Sequence, residues 1–79
     1  MRSLKICSAV IYFMVKGERL TREQVFGNQG NPVYAIWPKG RLWEVSLKDG
    51  EFWESVEETP FSTVREAFET ALNHYLSRY

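Results

Sequence analysis

The sequence predicts an α+β domain: an antiparallel sheet of about four strands with one C-terminal helix packed across one face. Three features predict it. The run from Ile6 to Val15 is almost wholly apolar and rich in β-branched and aromatic residues. Short segments of strand character between residues 33 and 56 are separated by turn residues. From Val64 onward the apolar side chains recur at helical spacing. With 79 residues, 44% of them hydrophobic and 15% aromatic, the chain makes a single domain, 1–79, with a dense core.

Residues 4–15 are expected as the first strand, apolar on both faces. Lys16-Gly17-Glu18 punctuates the chain after it. Residues 19–26 fit either an edge strand or a short helix, for which Thr21 and Gln24 stand at capping-box spacing. "GNQGNP", residues 27–32, is turn chemistry. "VYAIW" (33–37) and "RLWEVSLK" (41–48) flank Pro38-Lys39-Gly40. A turn with Pro at its first corner and Gly at the bulge would pair Trp37 with Arg41. Asp49-Gly50 is a two-residue hairpin signal that would pair Lys48 with Glu51 and Leu47 with Phe52.

Because strand neighbours point to opposite faces, these pairings sort the side chains. Val33, Ala35, Trp37, Trp43, Val45, Leu47, Phe52 and Val56 fall on one face, expected as the core. Tyr34, Ile36, Leu42, Glu44, Ser46, Lys48, Glu51, Trp53 and Ser55 fall on the other. The helix begins after Thr59, Ser62 and Thr63, three capping candidates, with Thr63 and Glu66 at capping-box spacing. Val64, Ala67, Phe68, Ala71, Leu72, Tyr75 and Tyr79 form its apolar stripe.

One helix covers one face of a sheet. The strand from 4 to 15 is apolar on both, so its far side needs a cover. Either residues 19–30 fold back as a lid, or a partner sits there on a patch of several hundred Å².

A single cysteine, Cys7, excludes an internal disulfide, points weakly to a reducing compartment, and reads as a small buried hydrophobe. The first residues superficially resemble a secretion signal but lack a small-residue cleavage site. The apolar run is also too short to cross a bilayer as a helix, so a cytoplasmic, membrane-free protein is expected. The net charge is zero but unevenly placed: residues 1–43 carry +5 and residues 44–79 carry −5. Interleaved strands would mix the two halves in space.

Enzyme motifs and cofactor motifs are absent. Gly27 and Gly30 lack the Lys-Ser/Thr and the helix of a phosphate loop. One His and one Cys make no zinc site of the usual kinds. Ser62 and His74 would lie about 18 Å apart on a helix, too far for a nucleophile and its base. No catalytic residue, cofactor or metal is therefore expected.

Exposed aromatics on a sheet beside Lys39, Arg41 and Lys48 suggest nucleic-acid binding. Three strands followed by Phe61, Thr63, Glu66 and Ala67 resemble small three-stranded domains whose helix starts "F-x-T-x-x-E-A", among them the arm-type DNA-binding domains of phage integrases. That resemblance covers roughly residues 33–76 and implies a sheet that reads the major groove. The sequence departs from it at Glu51, Glu54, Glu57 and Glu58, which repel phosphates.

The acidic departure favours a protein partner. Trp53, Tyr34, Ile36 and Leu42 are the expected anchors and Glu44, Glu51, Glu57 and Glu58 the rim charges. The partner would be a protein, one with a basic groove fitting best, or a second copy of the chain in a homodimer. In class terms this resembles the tiny inhibitors carried by phages and other mobile elements, anti-CRISPR proteins among them. These occupy a nucleic-acid site without catalysis. Nucleic-acid binding through Lys39, Arg41 and Lys48 is the alternative.

Overall fold

The computed structural model describes residues 1–28, 31–48 and 52–78. The architecture is α+β, as the sequence predicts. Five strands run β1 (Arg2–Ile6), β2 (Ala9–Phe13), β3 (Val33–Lys39), β4 (Leu42–Lys48) and β5 (Trp53–Ser55), with helices α1 (Arg22–Phe26) and α2 (Val64–Arg78). The strands lie in one sheet in chain order, β1-β2-β3-β4-β5. All neighbouring pairs are antiparallel except β2 and β3, which are parallel. Among the described residues no helix is long and apolar enough to cross a membrane.

The expected single strand 4–15 is instead a hairpin. Ile6 pairs with Ala9 across Cys7 and Ser8, and Cys7 takes a φ of 52°. Cys7 is exposed at this tip, not buried in the core. A tight reversal must put a residue in the left-handed region, and the chain spends its cysteine there.

Parallel β2 and β3 cannot be joined by a tight turn, so residues 14–32 cross over the sheet. Within this crossover the capping box closes: Thr21 Oγ1 accepts from the Gln24 N–H at 3.1 Å, and Gln24 Oε1 accepts from the Thr21 N–H at 2.7 Å. That settles the ambiguous stretch 19–26 as a short helix. Gly27 ends it, its N–H donating to the Glu23 carbonyl at 2.6 Å. A Cβ at Gly27 would strike that same carbonyl.

The β3–β4 hairpin corrects the expected register. Lys39 pairs with Leu42 across the two-residue loop Gly40-Arg41, and Trp37 pairs with Glu44 rather than Arg41. Gly40 has a φ of 62°, the left-handed conformation that the first loop position of a type II′ turn demands. The shift is odd, so the face of β3 is inverted relative to β4. Tyr34 and Ile36 join Val45 and Leu47, and Trp37 joins Glu44.

At the next hairpin Lys48 pairs with Trp53, and Leu47 with Glu54. The slip from the expected pairing is even, so Trp53 keeps the face the sequence assigned. The Asp49-Gly50 turn and Glu51 lie outside the described residues.

Helix α2 therefore packs on Ala9, Ile11, Tyr34, Ile36, Val45 and Leu47, burying Ala67, Ala71 and Tyr75 against them. Two small residues on α2 let its backbone approach the sheet closely. Phe13 and Phe68 extend the contact with ring centroids 5.8 Å apart. Among the described residues, every buried side-chain polar atom has a hydrogen-bond partner.

The opposite, outer face is covered over its centre by the crossover. Val33 and Ala35 are 1% and 0% exposed there. The Phe26 ring of α1 lies 4.3 Å from the Lys48 ammonium on β4. Asn28 Nδ2 donates to the carbonyl of Ser8 at 2.9 Å and to that of Pro32 at 3.3 Å. A cleft of about 410 Å³ follows the seam between Val10 and Tyr12 on the sheet and Gln24 and Asn28 on the crossover. Of the two covers the sequence allowed, the lid is the one found. The wide bare face needed for the other is not there.

Candidate protein-binding surface

The crossover stops short of one corner of the outer face. Trp37 on β3 and Trp53 on β5 meet there edge to face, centroids 6.3 Å apart and planes at 76°. The two rings reach across β4 over Ser46, which pairs with Ala35 on one side and Ser55 on the other. A small hydroxyl on the central strand leaves room for both indoles. Trp53 is 38% exposed and its neighbour Phe52 80% exposed. Leu42 is exposed at the hairpin tip of the same face.

The charges around this corner are partly spoken for. Glu44 lies opposite Trp37, and its carboxylate holds the Lys39 ammonium at 2.8 Å. The hydrogen bond and charge of Glu44 raise the Lys39 pKa above its ordinary value. Glu54 projects to the α2 side, 3.5 Å from Arg78. Glu57 and Glu58 are exposed on the link from β5 to α2.

The expected anchors divide. Trp53 and Leu42 are on the open corner. Tyr34 and Ile36 are not: both are 0% exposed beneath α2. The Tyr34 hydroxyl lies 2.8 Å from His74 Nδ1, a bond that ties β3 to the helix. The inverted face of β3 is the reason, and the same inversion delivers Trp37, which sequence reasoning had sent to the core. Reading Gly40-Arg41 as a two-residue loop is the signal that finds it. Among the rim residues, Glu44 lies beside Trp37 at the corner, Glu57 and Glu58 are exposed on the link to α2, where Glu57 lines a cleft with Thr70 and His74 of the helix, and Glu51 lies outside the described residues.

The alternative set fares less well. Lys48, the last residue of β4, is 4% exposed beneath Phe26 rather than free on the surface of the hairpin end. Lys39 is tied to Glu44. Arg41 is exposed in the β3–β4 loop and has no such contact among the described residues. His74 is engaged with Tyr34, and no group of three or more His, Cys, Asp or Glu among the described residues could hold a metal.

Comparison with models of known families, with curated proteins and with solved structures finds no match.

Proposed function

We propose that this chain is a small non-enzymatic binding module that captures a protein through the Trp37–Trp53 corner. The observation that carries this reading is the edge-to-face indole pair at the open corner, flanked by Phe52 and Leu42. Aromatics at the centre of a patch are the usual energetic anchors of protein interfaces, and surrounding charges steer approach. Glu44 stands beside Trp37, and Glu57 and Glu58 are exposed on the link that follows β5, so a partner with a basic groove fits best. A groove of that kind is what nucleic-acid-handling complexes present. The reading therefore favours the class of small inhibitors, anti-CRISPR proteins among them, that occupy such a site.

The experiment is retention of a host protein from lysate on immobilised chain, compared with Trp53→Ala/Phe52→Ala. Wild type retains a partner that the double variant loses, while the thermal midpoint of the variant moves by only a few degrees. Retention falls as salt rises and in Glu57→Lys/Glu58→Lys. Equal retention by the aromatic variant contradicts the proposal. So does a low-salt gel shift with DNA or RNA that Lys39→Glu/Arg41→Glu abolishes.

A further inference from the structure

Both ends of the sheet are open, and they carry opposite charge. Among the described residues, β1 at one end has only β2 as a neighbour, and β5 at the other has only β4. The Val10 N–H donates to Pro32 and the Met14 N–H to Ile36, so alternate residues of β2 turn their backbone toward β3. Ala9, Ile11 and Phe13 then bond β1 through Ile6, Leu4 and Arg2. The backbone N–H and C=O of Ser3 and Lys5 face outward. At the far edge the Val56 N–H donates to Val45, so Glu54 bonds Leu47 and the backbone groups of Trp53 and Ser55 face outward.

Each edge thus offers two residues of unpaired backbone. The β1 edge carries Arg2 and Lys5, and the β5 edge carries Glu54 with Glu57 and Glu58 just beyond. Like edges repel one another, which is one way strand edges are kept apart. Unlike edges attract.

We infer that the β1 edge of one copy adds to the β5 edge of another, joining chains head to tail by strand addition. The register that sets Lys5 opposite Trp53 and Ser3 opposite Ser55 satisfies the outward groups of both edges. It brings Arg2 diagonal to Glu54 and continues each face of one sheet into the same face of the next. Such a contact is heterologous, so it propagates rather than closing on a two-fold axis. A zero net charge leaves no overall repulsion against it.

The test is sedimentation equilibrium on the full chain over a range of concentrations. At an ionic strength of about 0.01 M, where charges are felt over ~30 Å, the mean mass rises with concentration. At about 1 M, where the range is ~3 Å, it returns to that of a monomer. Arg2→Glu/Lys5→Glu and Glu54→Lys/Glu57→Lys are each monomeric alone, because each then carries two edges of one sign. Mixed in equal amounts they associate again. Ser3→Pro removes an outward N–H without touching the β1–β2 ladder or any charge, and it abolishes association. Wild type monomeric at low ionic strength overturns the inference. Association that survives Ser3→Pro or needs Trp37 instead also overturns it. Arg2→Glu/Lys5→Glu still retains its partner through Trp53, so failure here and failure of the binding reading are separate results.

Discussion

Cys7 sits where a residue without a Cβ would be more comfortable. Its φ of 52° costs an L-residue about 1 kcal/mol, more if the side chain is β-branched. Cys7→Val is expected to lower stability by about 1 kcal/mol relative to Cys7→Gly, read from urea midpoints at equal slopes. Its exposure also makes it a label site that leaves the core alone. Gly27 is constrained differently. Its conformation is ordinary, but the Glu23 carbonyl occupies the place of its Cβ. Gly27→Ala therefore loosens α1 and exposes amides of the crossover to hydrogen exchange before those of β3. Neither demand was readable in the sequence. In Cys7-Ser8 only Ser8, a weak turn former, marks the reversal, with no Gly, Asn, Asp or Pro beside it, and a close approach in a one-turn helix leaves no periodic trace.

Among the elements, α2 was the most legible, because its apolar stripe and its cap are both local. Thr63 Oγ1 accepts from the Glu66 N–H at 3.2 Å, and Glu66 Oε1 accepts from the Ser62 hydroxyl at 2.7 Å and the Thr63 hydroxyl at 3.1 Å. Thr63→Ala is expected to cost about 1 kcal/mol in thermal denaturation, the usual loss for a helix cap. The Ser62 hydroxyl bond, more than that of Thr63, holds the Glu66 pKa below its ordinary 4.5. A carboxylate depressed in the folded state stabilises above its unfolded pKa, and that contribution disappears as pH falls through the folded value. Stability should therefore decline as pH drops below about 4.5, and Glu66→Gln should flatten this decline. The hairpins were less legible for a geometric reason. Pro38-Lys39-Gly40 and Gly40-Arg41 both make acceptable loops, and choosing between them changes the register by an odd number. That one choice moved Tyr34 and Ile36 to the wrong face and hid Trp37. At β4–β5 the difference was even, so Trp53 kept its face although its partner changed.

At the scale of the whole molecule, strand order equals chain order, so the two charged halves of the sequence do not interleave. That holds within the sheet only: helix α2, from the acidic half, packs on Ala9 and Ile11 of β2 and on Tyr34 and Ile36 of β3 as well as on β4, so the two halves meet through it. The cover of the outer face was visible only as an alternative, because a crossover is made by contacts such as Phe26 over Lys48 that no local pattern announces. What survives of the expected partner surface is a corner rather than a face. The arrangement has one decisive consequence: Tyr34 is inside and Trp53 is at the surface. The direct measurement is the urea unfolding of Tyr34→Ala and Trp53→Ala beside wild type. Tyr34→Ala is expected to lose about 3–5 kcal/mol, enough to leave little cooperative unfolding in so small a domain, and Trp53→Ala much less. The reverse order, with Trp53→Ala unfolding the chain and Tyr34→Ala tolerated, would contradict both the assigned faces and the binding corner built on them.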